Sequence, residues 1–211
     1  MIKINKAANE PFVFKTIKQK YATYDDLYCD DKNALKAQLI EEQFYLCAYC
    51  MARIKLKSSS IEHYLPRHPE APDDADRSLE YHNLFAVCIS SKNKPDNQKF
   101  CEAKRGNTEL NINPMLQEHI DTLSYSGDGK IISSNQSFQT DIDETLNLNC
   151  PLLCRNRRDA LSDFIRTMSE KKSGHWNKEY LSNVVMRLET REMNVPYVGY
   201  IQYFLKRRLN Q

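Results

Sequence analysis

Cys47-Ala48-Tyr49-Cys50, then Ile61-Glu62-His63-Tyr64-Leu65-Pro66, then His82-Asn83-Leu84-Phe85-Ala86-Val87-Cys88, and finally Cys101-Glu102-Ala103-Lys104, form the stretch around which the rest of the chain is arranged. Four cysteines bracket a Glu-His pair and an Asn. Four thiolates saturate a tetrahedral zinc and leave no open position for chemistry, so Cys47, Cys50, Cys88 and Cys101 read as a structural Zn²⁺ staple. The two-residue gap between Cys47 and Cys50 lets two thiolates share one metal, whereas Cys88 and Cys101 are more widely spaced. A Cys-x-x-Cys can also be a redox pair, but that reading wants a thioredoxin-like strand–helix context, which the flanking sequence lacks.

The staple would hold together a carboxylate (Glu62), an imidazole (His63), an amide (Asn83) and a second carboxylate (Glu102). Oxygen ligands suit a hard dication such as Mg²⁺ or Mn²⁺. An imidazole that titrates near neutrality can take a proton from water. An isolated Glu-His dipeptide is more often a buried hydrogen-bonded pair. The order of all these groups within one stretch is what favours a site. One geometric objection stands: neighbours on a regular strand point to opposite faces, so Glu62 and His63 meet only if the strand ends there, as Pro66 suggests.

Outward from this stretch, the 211 residues suffice to bury a sizeable core, and the net charge of +2 names no partner by itself. The charge is unevenly spread. From Arg155 to Gln211 there are twelve basic and six acidic residues, a surplus of +6 that could serve phosphate contacts or an ordinary solvated face. No apolar run approaches the ~20 residues that span a bilayer, and Met1 to Lys6 lacks the apolar core of a signal peptide. The expectation is therefore a cytoplasmic chain with no membrane partner, in which paired cysteines bind metal and Cys29, Cys150 and Cys154 stay reduced.

Met1 to Asp31 reads as a partly extended arm carrying Phe12-Val13-Phe14. A helix is expected from Asn33 as N-cap, burying Leu35, Leu39 and Leu46 and running into Cys47. Ile61 to Tyr64 reads as a strand ended by Pro66, 69–78 as an exposed loop, and Leu79 to Val87 as a short turn or helix. A polar, Lys-rich insertion follows Cys88, and a short helix opens at Glu102 and ends at Gly106. Gly127-Asp128-Gly129 predicts a hairpin across Leu123 to Ser133. Everything after Asp141 reads as helices, one through Ala160, Leu161, Phe164, Ile165 and Met168, a second through Trp176 to Leu188. Pro196 is expected in the first turn of the last. The fold class is α+β, mainly helical: an arm and helix over 1–46, a stapled core over 47–114, and a hairpin plus helices over 115–211.

The quoted motifs resemble the HNH endonucleases, over about a quarter of the chain. Glu62-His63-Tyr64-Leu65-Pro66, Asn83-Leu84, Cys101-Glu102-Ala103-Lys104 and Leu146-Asn147-Leu148-Asn149 more specifically resemble the PtuB family of Septu and retron anti-phage systems, out to about Arg158. The resemblance implies a ββα-metal core, with Glu62 on a catalytic dication, His63 as general base and Asn83 bracing the loop. Glu102 falls where the family usually has His or Asn, and His82 and Lys104 are accessory candidates. It further implies a nucleic-acid substrate, DNA or RNA, and a PtuA-like ATPase partner, with a retron reverse transcriptase and its msDNA in some systems. The competing reading is a zinc module that binds nucleic acid or protein without catalysis. It keeps the cysteines but leaves Glu62-His63 and Asn83 without a reason.

Overall fold

In the computed structural model, residues 1–65, 77–190 and 195–210 are described. The centre is a pair of antiparallel strands, β1 (Ser59–His63) and β2 (Leu84–Cys88), in register from Ser59 opposite Cys88 to His63 opposite Leu84. All five β2 residues are buried, which fits an unbroken apolar run better than an alternating one. The expectation of a turn or helix over Leu79 to Val87 is thereby corrected: only Tyr81–Asn83 make a helical turn, and the chain extends from Leu84. A single turn of helix, α3 (Glu102–Arg105), follows the sheet in sequence, and Gly106 ends it at φ 57°.

Two helices precede the sheet, α1 (Phe12–Lys20) and α2 (Cys29–Glu42). The first overturns the extended arm. Phe14 and Ile17, three apart, go inward and Phe12 stays 83% exposed, so Phe12-Val13-Phe14 winds as a helix. The second begins before Asn33, because Asp30 and Asp31 put two carboxylates in its first turn, where the helix dipole favours them. It buries Leu35, Leu39 and Ile40.

Instead of running into Cys47, the chain leaves α2 through Phe44 and Tyr45, both left-handed at φ 55° and 63°. Leu46 bridges to Arg53 instead. The buried Gln43 amide then completes the sheet: its Nε2 donates to Ala86 O at 2.7 Å and its Oε1 accepts from Ala86 N at 2.7 Å. The Cys47–Cys50 knuckle is thus seated directly on β2. Pro66 and most of the predicted 69–78 loop lie outside the described residues.

The C-terminal half opens with α4 (Gln117–Ile120) and the predicted hairpin, β3 (Leu123–Tyr125) with β4 (Ile131–Ser133). The short helix α5 (Gln136–Thr140), capped by the Asn135 side chain, continues into a π-helical turn over Asp141–Thr145. Three longer helices follow, α6 (Pro151–Lys171), α7 (Lys178–Glu189) and α8 (Val198–Leu209). Pro196 precedes the last of these: Tyr197, left-handed at φ 56°, is its N-cap, so the first turn starts two residues later than expected.

This half is tied to the stapled stretch by backbone bonds. Cys101 N donates to Leu146 O at 2.9 Å, and Tyr197 N to Met51 O at 2.9 Å. Buried side chains from Phe14 to Leu205 form one continuous core. No helix among the described residues is long and apolar enough to cross a membrane.

Candidate functional site

The four cysteines arrive from three elements: Cys47 and Cys50 from the knuckle, Cys88 from the end of β2, and Cys101 from the residue before α3. All are buried, and their sulfurs lie within 4.8 Å of one another. Cys47 Sγ is 3.9 Å from Cys101 Sγ, and Cys50 Sγ is 3.7 Å from Cys88 Sγ. A tetrahedral zinc with Zn–S bonds near 2.3 Å requires sulfurs ~3.8 Å apart, so the quartet fits the ion. Cys88 N–H also points at Cys47 Sγ at 3.3 Å, a backbone donor that a thiolate accepts. Burial pushes the Cys101 thiol well up, whereas hydrogen bonds from Cys101, Cys47 and Cys50 pull Cys88 far down. Four buried thiolates repel one another, and a dication relieves that conflict.

Glu62 and His63 are adjacent and face apart. Glu62 is buried; its Oε1 accepts from Tyr49 Oη at 3.0 Å and is ion-paired with Arg105 Nη1. Its Oε2 has no hydrogen bond among the described residues. Burial pushes the Glu62 carboxyl above the usual range, against the pull of Arg105, and the Glu102 charge adds to the rise. Burial also opposes charge on Arg105, yet Tyr49 and Glu62 hold its pKa up. The cation is the settled member of this pair, because every nitrogen of its fork meets oxygen. Nε reaches Thr108 O at 2.7 Å, Nη1 reaches Tyr49 Oη at 3.1 Å and His63 O at 3.0 Å, and Nη2 reaches Tyr64 O at 2.5 Å.

His63, half-buried, turns the other way. Its ring meets Tyr24 edge to face at 4.8 Å, and Nε2 lies 2.9 Å from Ser78 O. A carbonyl only accepts, so Nε2 is the nitrogen that donates to Ser78 O. Asn83, buried on the turn before β2, clamps the backbone beyond the strand end. Its Oδ1 accepts from Leu65 N at 2.6 Å, and its Nδ2 donates to Leu65 O and Arg77 O, each at 3.1 Å.

Glu102 is half-buried at the start of α3 and has no ion pair or hydrogen-bonded side chain among the described residues. Lys104 is held by Asp96 at 2.9 Å. His82 is exposed against the edge of Tyr81, 5.0 Å between ring centres. Among the described residues, three or more His, Cys, Asp or Glu ligands converge only at the cysteines.

Sequence reasoning missed Arg105, Tyr49, Tyr24 and Ser78. Arg105 left one signal, its place a helical turn after Cys101 and just before Gly106. Tyr49, inside the Cys-x-x-Cys, reads locally as filler.

No protein-family model matches this chain. It is similar to an Escherichia coli protein named "Retron Ec83 putative HNH endonuclease", 24% identical over 214 residues, which covers 81% of this chain and 83% of that protein.

Proposed function

We propose that this chain is a metal-dependent HNH endonuclease that hydrolyses phosphodiester bonds of nucleic acid, the effector of an anti-phage defence system beside a PtuA-like ATPase. The observation that carries the reading is spatial. The cysteine quartet joins the knuckle, the end of β2 and the start of α3, and β1, paired with β2, carries Glu62 and ends in His63, with Glu102 opening α3. In this reading β1, β2 and α3 are a ββα-metal core within 47–114. The similarity to a retron-associated protein named for HNH activity supports it independently.

Glu62 Oε2 and Glu102 would hold Mg²⁺ or Mn²⁺, which when bound neutralises charge on a phosphodiester. His63 takes the proton from the attacking water, and Asn83 holds the loop that orients the imidazole. Glu62 and His63 face apart on β1, so the reading requires the scissile phosphate to lie at the end of the strand, within reach of both side chains. Lys104 and His82 are accessory positions from which a phosphate could be met.

The second reading, a zinc module without catalysis, is favoured by the Glu62–Arg105 pair, which occupies one carboxylate oxygen. Incubation with DNA and with total RNA, in Mg²⁺ or Mn²⁺, with and without the neighbouring ATPase, decides between the two. Cleavage that vanishes in His63→Ala and Glu102→Ala is the expected result. A folded, zinc-loaded chain that cuts neither substrate under any of these conditions would sink the nuclease reading.

A further inference from the structure

On β1, alternation turns Ser59, Ile61 and His63 away from Glu62, toward α2 and the segment before it. A cleft of about 440 Å³ lies there, lined by Tyr24, Lys32, Asn33, Lys36 and Ile61 among others, with no carboxylate in its wall. Two other cavities do contain acids, Asp121 and Glu189 in one and Asp143 in the other. Lys32 and Lys36 are four apart on α2 and therefore share a face. Neither makes an ion pair among the described residues. Lys36 Nζ reaches Ser59 O at 3.3 Å, and Lys32 Nζ sits 4.9 Å over the Tyr24 ring. Tyr24 links the cleft wall to the proposed base: its ring packs on His63, and Ser78 joins them, its Oγ accepting from Tyr24 N at 3.1 Å and its carbonyl facing His63 Nε2.

We infer that this cleft seats an unpaired nucleic-acid strand, with backbone phosphates on Lys32 and Lys36 and a base against Tyr24, and leads the strand to His63. The inference rests on the nuclease reading for the identity of its ligand. An ammonium is a point-charge partner for phosphate, and no carboxylate lines the cleft itself, Asp30 and Asp31 lying in the preceding turn of α2. A basic groove with an aromatic platform is how proteins hold single strands regardless of sequence. A cavity of this size takes a nucleotide-sized group, not a duplex.

The test is fluorescence anisotropy with short labelled single strands of DNA and of RNA, in buffer free of Mg²⁺ and Mn²⁺. The proteins are wild type, the double variant Lys32→Ala/Lys36→Ala, Tyr24→Leu, and a control, Lys171→Ala/Lys172→Ala, from the end of α6. The groove variant should bind about ten-fold or more weakly, and its slope of log affinity against log salt should shrink by about 1.4, at roughly 0.7 per lost phosphate contact. Lys32→Arg/Lys36→Arg should keep the binding, which separates lost charge from lost fold, and Tyr24→Leu should weaken it without changing the slope. A double variant that binds like wild type, or a wild type that binds no strand, overturns the inference. A second arm adds Mn²⁺ and reads cleavage. Groove-dependent binding without cleavage, with and without the neighbouring ATPase, keeps the inference and discards the nuclease; cleavage unchanged in the groove variant does the reverse.

Discussion

Arg105 is the side chain on which the end of β1 depends. Its fork satisfies the carbonyls of His63, Tyr64 and Thr108, and its charge sits against Glu62 in a place where neither is solvated. Arg105→Ala would strand a buried carboxylate, at a cost of about 3–5 kcal/mol, read as a fall in the urea midpoint. Arg105→Lys should recover only part of this, since an ammonium cannot reproduce the planar fork. A loss under about 1 kcal/mol would show that the pair holds nothing.

Lys6 makes a second prediction at this scale. It is buried over the Tyr81 ring at 4.4 Å and paired with Glu42 at 3.3 Å, and burial lowers its pKa from 10.5 to about 8. The folded state therefore binds fewer protons at Lys6 than the unfolded state between those values, so this contribution to stability rises with pH across that window. Compared with Lys6→Met, wild type should gain up to about 3 kcal/mol between pH 8 and 10.5, measured as paired denaturant titrations. A constant difference across that range would refute the assignment.

Among the elements, the β3–β4 hairpin and the start of α6 show how a legible turn hides an illegible contact. The Asp-Gly signal announces the hairpin. It says nothing of Gly129, which lies at φ 93° so close to α6 that a Cβ would come within 2.3 Å of Cys154 O. Arg157, fully buried on α6, donates to Gly129 O at 2.7 Å and Leu148 O at 2.6 Å, pinning hairpin, turn and helix together. Gly129→Ala should thus cost at least about 2 kcal/mol, from left-handed strain and overpacking together. Gly127→Ala, whose Cβ would meet nothing within 4 Å, is the control and should melt like wild type. Equal melting temperatures for the two variants would contradict the close approach.

At the scale of the whole molecule, the cysteine quartet joins segments that are far apart in sequence, from the knuckle at Cys47 to the turn at Cys101, and Cys101 N bonds onward to Leu146. Binding free energy at such a site is folding free energy. The purified chain should carry about one zinc, and Cys47→Ala or a strong chelator should abolish the cooperative thermal transition, followed by calorimetry and near-UV dichroism. A chain that melts identically with and without the metal would show that the hydrophobic core suffices alone.

The four cysteines, the Asp-Gly hairpin and the spacing of Leu, Ile and Phe in α6 to α8 were readable from the sequence, because each is a local pattern whose chemistry does not depend on what lies opposite. Glu62, His63, Asn83 and Glu102 were nameable for the same reason. Their arrangement was not. That Leu84–Cys88 is a strand was decided by burial on both faces, and that α2 starts at Cys29 by what its first turn exposes. That Glu62 faces Arg105 while His63 faces Tyr24 depends on which distant segments meet β1 on either side. Local spacing determines which chemical groups are present and how a segment can coil. Only tertiary packing determines which of those groups lose their water, and to which partner they turn instead.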